Sequence, residues 1–209
     1  MITNEAEAKA YIAECFGEGV TKTFQKLEKL LIEENAKQNL VAGGSLPHIW
    51  QRHIVDSAQL LEHVSRETGV WLDLGSGAGF PGLVVAACRP RATVHLVESR
   101  RLRIEWLNRM INRLDLSNCS VQGIDLGAVP TFPVDVISAR AFAPMPRLVS
   151  MAARFSTPDT EWVLPKGRKA AHDVEMLDPR LRKMFHVKPS ITDPDAGIVV
   201  GYGKAEFAR

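Results

Sequence analysis

Two carboxylates bracket a glycine-rich run in a way that suits a charged, hydroxylated ligand. The run Val70-Trp71-Leu72-Asp73-Leu74-Gly75-Ser76-Gly77-Ala78-Gly79-Phe80-Pro81-Gly82 opens apolar, carries one acid at Asp73 and breaks into alternating glycines. Lacking Cβ atoms, Gly75, Gly77 and Gly79 let a ligand approach the backbone closely. The apolar stretch Leu83-Val84-Val85-Ala86-Ala87 then reads as a helix whose first N–H groups lie open beside the turn. Further on, Thr93-Val94-His95-Leu96-Val97 ends at Glu98, whose carboxylate can accept hydrogen bonds from both hydroxyls of a ribose.

Spacing selects among the ligands such turns hold. A dinucleotide turn spaces its glycines G-x-G-x-x-G and seats a pyrophosphate on the helix end. Here the spacing is G-x-G-x-G, with Asp73 two residues before the first glycine, and no Gly-Lys-Ser/Thr follows. An acid so close to the turn suits a cationic amino-acid moiety better than a pyrophosphate. S-adenosylmethionine carries that moiety on an adenosine, and it is the expected cofactor. Asp73 would meet its amino-acid end, directly or through water, or else simply cap the turn. Phe80 either lines the pocket or packs helix against sheet.

These residues need a sheet to hold them. Besides the runs ending at Leu74 and Glu98, strands are expected at Cys119–Gly123, Val134–Arg140 and Glu161–Leu164. A terminal hairpin pairs Met184–Ile191 with Ile198–Ala205 across Asp193-Pro194-Asp195-Ala196-Gly197. Alternating strands and helices that close on an antiparallel pair give an α/β, Rossmann-like, seven-stranded sheet of the class I methyltransferase type. Residues 1–68 read as an N-terminal helical extension, and 69–209 as the cofactor-binding domain, together one compact unit. Phe24, Leu27, Leu30 and Leu31 share a helix face, Asn39–Ser45 breaks that helix, and a second helical pattern runs from about Pro47 to Glu67. Its inward residues are Ile49, Trp50, His53, Ile54, Leu60, Leu61 and Val64.

Composition narrows the setting. The chain has 209 residues, a net charge of +2 and three cysteines, Cys15, Cys88 and Cys119, without metal-ligand spacing. Free thiols fit a reducing cytoplasm, no metal site is expected, and no run is long and apolar enough for a membrane span. The net charge is too small to identify a nucleic-acid binder. Its distribution says more. Arg89, Arg91, Arg100, Arg101, Arg103, Arg109 and Arg113 crowd the region around Glu98, and Lys166, Arg168 and Lys169 follow a later strand. Such clusters can neutralise phosphates, or form a solvated face through pairs such as Arg101 with Glu105.

Four blocks occur in order: Arg52-His53-Ile54-Val55-Asp56-Ser57, the turn from Asp73 to Gly82, Ser138-Ala139-Arg140-Ala141-Phe142-Ala143-Pro144, and Pro165-Lys166-Gly167. Together they resemble the RsmG (GidB) family, bacterial methyltransferases acting on N7 of a guanine in small-subunit ribosomal RNA. The resemblance covers about Asn39 to Lys169. It implies S-adenosylmethionine as cofactor, small-subunit rRNA or the 30S subunit as partner, and a monomeric cytoplasmic enzyme. It implies that Arg140 meets cofactor or RNA, that Lys166 holds an RNA phosphate or the guanine O6, and that His53 and Asp56 position the substrate. For the last two the alternative is a core histidine bonded to a carboxylate. Departures from the family pattern are Glu34 at a tryptophan position, Val41 at a threonine position, and Asp125 with Leu126 where an Ala-Glu pair meets the adenine.

Guanine N7 has an in-plane lone pair and no proton, so its methylation needs positioning and not a general base. The chain has no Asn/Asp-Pro-Pro-Tyr/Phe motif for an exocyclic amine, and no cysteine follows a proline. A flipped guanine could stack on Phe142. Two other readings remain at this level: a methyltransferase with another acceptor, and a non-catalytic RNA-binding factor of ribosome assembly.

Overall fold

The computed structural model describes residues 1–207, so the end of the expected 69–209 unit lies outside the described residues. Its centre is one seven-stranded sheet in the order β3-β2-β1-β4-β5-β7-β6. The strands are β1 (Gly69–Leu74), β2 (Ala92–Val97), β3 (Cys119–Gln122), β4 (Val136–Ala139), β5 (Glu161–Gly167), β6 (Phe185–Pro189) and β7 (Gly197–Tyr202). The first five run parallel, and β7 pairs antiparallel with both β5 and β6. This is the expected α/β class and the expected terminal hairpin. Strand order reverses beside β1, with β2 on one side and β4 on the other, so a crevice opens past Leu74, Val97 and Ala139.

The helix after the glycine turn, α3 (Gly82–Cys88), is apolar on almost every side, and nearly all its residues are buried. Helices buried all round lie between two layers. One layer is the sheet. The other is the N-terminal region, where Phe24, Leu27, Leu31, Trp50 and Ile54 are fully buried and join Val84, Val94 and Val163 in one apolar cluster. A second cluster, with Trp162, Phe155 and Leu148, fills the opposite face beneath α5 (Met145–Ala152).

The N-terminal elements differ from the simple two-helix expectation. Helix α1 (Glu5–Asn35) is broken at Gly17, whose φ of 82° leaves the helical region. It ends four residues before the expected break at Asn39, because Asn35 turns its side chain onto the departing backbone. Asn35 Oδ1 accepts from Leu40 N and Val41 N at 2.8 and 2.9 Å, and Nδ2 donates to Val41 O.

The expected helix from Pro47 to Glu67 is instead four short pieces. They are a tight turn Gly43–His48, a widened π-type turn Trp50–Val55, α2 (Asp56–Ala58) and a 3₁₀ turn Gln59–His63. The Glu5 carboxylate accepts from Trp50 N and Gln51 N, supplying from α1 the cap this segment lacks. All seven expected inward residues are buried. The winding changes while the burial pattern holds. π-type turns widen a helix and occur often at functional sites.

Strand β5 also runs further than the expected Glu161–Leu164. Its register with β4 ends at Ser138 opposite Val163, so Pro165 lies beyond β4, where its missing N–H leaves no ladder bond unmade on that side. A register shift between Pro165 and Gly167 on the β7 side then carries Lys166 across the crevice. The remaining helices are α4 (Arg101–Arg113), α6 (Ala170–Glu175) and α7 (Pro179–Arg182).

Candidate active site

Two cavities open at the carboxyl ends of the parallel strands. The smaller, about 430 Å³, is lined by Gly75 to Ala78, Glu98, Asp125, Leu126 and residues around them. The larger, about 940 Å³, lies between the Arg52–Asp56 segment, Lys166 and Asp173, and the loop Ser190–Ile198. Both volumes fall in the range of small-molecule and base-sized sites. They share one wall, Arg140-Ala141-Phe142.

Backbone dominates the smaller cavity. Gly75 has φ +66°, and a Cβ there would lie 2.5 Å from the Phe142 ring, so only glycine allows both the turn and the shared wall. Gly77 N donates to Glu98 Oε2 at 3.0 Å, while Ser99 N and Arg100 N donate to Oε1 at 2.8 and 2.9 Å. The carboxylate is thus fixed before any ligand arrives: both lone pairs of Oε1 are taken, and Oε2 keeps one for a hydroxyl. Asp125 accepts from Gly127 N at 2.8 Å, which sets the loop carrying Ile124 and Leu126 into the cavity. Leu126 is buried, and Ile124 is exposed at 41%. This pair offers an apolar face, and Asp125 between them lines the cavity with a carboxylate.

Two expected site residues act from behind the cavity, and a third lines it. Asp73 is fully buried and does not line it. Its Oδ1 accepts from Ser138 Oγ at 2.7 Å and its Oδ2 from Gly82 N at 3.3 Å. Ser138 accepts in turn from Trp71 Nε1 at 2.8 Å. Burial pushes the Asp73 carboxyl above its ordinary value, and these donors pull against the rise. Gly82 opens α3, so its bond to Asp73 ties the strand end to the helix start. Gly79 likewise does not line the cavity. A Cβ there would lie 2.2 Å from Leu83, so its absence serves helix packing. Phe80 does line the cavity, and it also stacks on His53 with ring centres 5.1 Å apart.

Side chains dominate the larger cavity. Arg140 spreads over the Phe80 ring at 5.1 Å and donates through one guanidinium nitrogen to His53 Nδ1 at 3.0 Å. The same nitrogen lies 3.8 Å from Asp56 Oδ2. Asp56 Oδ1 accepts from Gln59 Nε2 at 2.9 Å and from Thr192 Oγ1 at 3.1 Å. Burial raises the Asp56 carboxyl, and Arg140 opposes that rise. His53 lines neither cavity. Its burial, with the cations Arg140 and Arg52 nearby, drives its pKa down to about 3. The expected pair of helical neighbours is therefore a pair of ligands to one arginine. Across the cavity, Lys166 Nζ reaches Asp173 at 3.5 Å and Ala143 O at 3.4 Å. Burial lowers its pKa, and Asp173 raises it. Between the two cavities, Ala141 holds φ +53°, a left-handed conformation that costs a non-glycine residue about 1 kcal/mol.

Sequence reasoning missed Leu40 and Ile124 at the smaller cavity, and Ser45, Gln59 and Thr192 beside the larger. A lone apolar Ile124 in a polar loop was a usable signal; Ser45 offered none. The arginine clusters are partly spent on protein. Arg101 pairs with Glu105 at 3.2 Å, Arg103 donates to Asn39 O, and Arg91 pairs with Glu67. Glu34, the departure at the tryptophan position, pairs with Arg109 at 2.8 Å, and Val41 is buried in the core. Among the described residues, no group of His, Cys, Asp and Glu could hold a metal ion.

The sheet order, the crevice at its switch point and the glycine turn over a pre-held carboxylate define the class I methyltransferase fold. A solved S-adenosylmethionine-dependent methyltransferase from Aquifex aeolicus shares this fold, with a TM-score of 0.57 at 14% identity over 76% of this chain and 94% of that one. The chain belongs to the GidB family, rRNA small subunit methyltransferase G, whose model matches residues 20–193. It is 54% identical over 99% of its length to the ribosomal RNA small subunit methyltransferase G of Erythrobacter litoralis, all of which is covered. It is 53% identical over 96% of its length to that of Novosphingobium aromaticivorans, with 89% of the relative covered. S-adenosylmethionine is the methyl donor of this family. The small cavity fits it: a glycine cradle that a Cβ would fill, a carboxylate oxygen with a free lone pair for a ribose hydroxyl, and an apolar face at Ile124 and Leu126 for the adenine.

Proposed function

We propose that this protein transfers a methyl group from S-adenosylmethionine to N7 of a guanine in small-subunit ribosomal RNA, acting as a cytoplasmic monomer. The shared wall Arg140-Ala141-Phe142 carries the reading, because it brings a cofactor-sized cavity and a larger one with room for a nucleotide to a common boundary. Glu98, Gly75 and Gly77 hold the cofactor, with Asp125 and Leu126 beside the adenine and Phe80 at the floor. Asp73 and Gly79 shape the turn from behind.

The bound cofactor supplies a methyl group on a cationic sulfur, and the protein must align an acceptor with it. Guanine N7 already presents its lone pair, so no side chain has to remove a proton there. Phe142 offers a face for an unstacked base, and the Arg140 guanidinium offers donors to O6 or a phosphate oxygen. Lys166 is a second cation on the opposite side of the same cavity, held in reserve by Asp173. Asp56 keeps Arg140 aimed, and its Oδ2 remains available to the acceptor. One chain walls both cavities, so neither needs a second copy to complete it. No helix among the described residues is long and apolar enough to cross a membrane.

Tritiated S-adenosylmethionine, unmethylated small subunits and the purified protein test this directly. Label recovered as 7-methylguanosine at one position, and lost in Glu98→Ala, is the expected result. Cofactor binding without transfer to subunits, precursor particles or free rRNA would overturn the assignment in favour of another acceptor or a non-catalytic role.

A further inference from the structure

A hydroxyl group has one proton, and that of Ser45 is already committed. Ser45 Oγ donates to Ala42 O at 2.7 Å. Toward His53 Nε2, 2.8 Å away, it can then only accept. The imidazole therefore carries its proton on Nε2 and presents a lone pair at Nδ1. That lone pair faces Arg140 at 3.0 Å, and a guanidinium has donors only. Both ends of the ring thus demand the same tautomer. The ring is held flat on Phe80 at an interplanar angle of 24°, so it cannot flip, which would put Cδ2 and Cε1 where Nδ1 and Nε2 stand, without unstacking.

His53 lines neither cavity, whereas Arg140 lines both. We infer that Ser45 and His53 form an orienting relay that holds the Arg140 guanidinium at the wall between cofactor and acceptor. His53 is a positioning residue, neutral and protonated on Nε2, that acts on the reaction only through that guanidinium. The hydrogen-bond direction runs Arg140 to His53 to Ser45 to Ala42 O, ending on the backbone of the segment after Leu40 and Val41. A ring protonated on Nδ1 would set N–H against N–H and push the guanidinium off the wall. The kinetic consequence rests on the function proposed above; the tautomer does not.

Long-range ¹H–¹⁵N NMR of protein labelled at histidine nitrogen, without RNA or cofactor, reads the tautomer. The expected spectrum shows Nε2 protonated and Nδ1 bare for His53; in Ser45→Ala, Arg140 still demands that tautomer, but the Nε2 resonance shifts because its N–H has lost its acceptor. An Nδ1–H ring or an imidazolium at pH 7 overturns the relay whatever the enzyme does. In methyl transfer to unmethylated small subunits, His53→Leu is expected to lose roughly 30-fold in kcat, as for one hydrogen bond to a charged group, with little change in KM. His53→Asn, whose amide oxygen can replace Nδ1, is expected to stay within about 3-fold of the parent and guards against misfolding of the leucine variant. Arg140→Ala combined with His53→Leu should be no worse than Arg140→Ala alone. Additive losses would show that His53 acts elsewhere and would overturn the inference. If the unaltered protein transfers no methyl group, the functional reading fails, and the tautomer result alone upholds or overturns the relay.

Discussion

The two cavities on either side of Arg140-Ala141-Phe142 are built by different means. The smaller is made of backbone: a turn of left-handed glycines, three N–H groups fixing one carboxylate, and short apolar walls. The larger is made of long charged side chains, each aimed by a partner: Arg140 by His53 and Asp56, Lys166 by Asp173. A ligand of constant shape suits a rigid frame that pays no ordering entropy on binding. An RNA acceptor carries phosphates and has to be drawn in, which suits cations held loosely by acids. Effects of mutation should separate along the same line.

The sharpest separation is expected at the shared wall. Arg140→Ala should lower kcat roughly 100- to 1000-fold, about 3 to 4 kcal/mol in the barrier, by removing donors at the acceptor while the glycine turn stays intact. Calorimetric titration with S-adenosylmethionine should change by less than about 3-fold. A cofactor affinity that falls as far as turnover would erase the distinction between the cavities. The mirror experiment is Glu98→Ala. Losing the charged acceptor of a ribose hydroxyl, at about 2 kcal/mol, should weaken cofactor binding roughly 30-fold, with RNA affinity unchanged. Circular dichroism guards the comparison, since Gly77, Ser99 and Arg100 lose their acceptor too.

That division also explains what the sequence could say. The cofactor side was legible because a single contiguous run makes it: Asp73 to Gly82 encodes strand, turn and helix, and Glu98 ends the next strand. Even there, periodicity could not tell Gly75, which faces the cavity, from Gly79, which faces Leu83, because that depends on helix packing. The acceptor side gathers Arg52, Arg140, Lys166 and Thr192 from segments far apart in the chain. Only the order of motifs pointed to it. His53 and Asp56 showed their shared helix face, but the partner that gives them meaning comes from the end of β4. The broken winding between Gly43 and His63 was hidden for the same reason, since its cap is Glu5. Ser45 and Gln59 carry polar side chains whose roles exist only after folding.

The aiming of Arg140 also has a thermodynamic signature. His53 has a folded pKa of about 3, below the ordinary 6.5, so the unfolded chain binds the extra proton between those values. Stability contributed by the neutral ring is therefore complete above pH 6.5 and lost as pH falls toward 3. For one such group the loss between pH 7.5 and pH 5 is about 2 kcal/mol. Urea unfolding at the two pH values should show that much more acid destabilisation in the parent than in His53→Asn. Equal pH dependence in the two proteins would mean that the imidazole is not held neutral, and the acceptor side would lose its fixed reference.

The smallest effect tests whether the larger cavity meets phosphate at all. Arg52 is exposed on its rim, and its carbonyl, not its side chain, accepts from Arg140 at 3.4 Å. Arg52→Ala therefore leaves the aiming of Arg140 in place and removes one cation. If that cation neutralises a phosphate, the slope of log affinity against log salt should become shallower by about 0.7 to 0.9. Between 50 and 200 mM salt this amounts to a roughly 3-fold smaller loss of RNA affinity than in the parent. Cofactor affinity should not respond, because Arg52 does not line the smaller cavity. An unchanged slope would place the RNA backbone elsewhere, on the arginines of α4 that remain after Glu34 and Glu105 have taken theirs. The larger cavity would then receive a base alone, and its cations would serve the guanine edge.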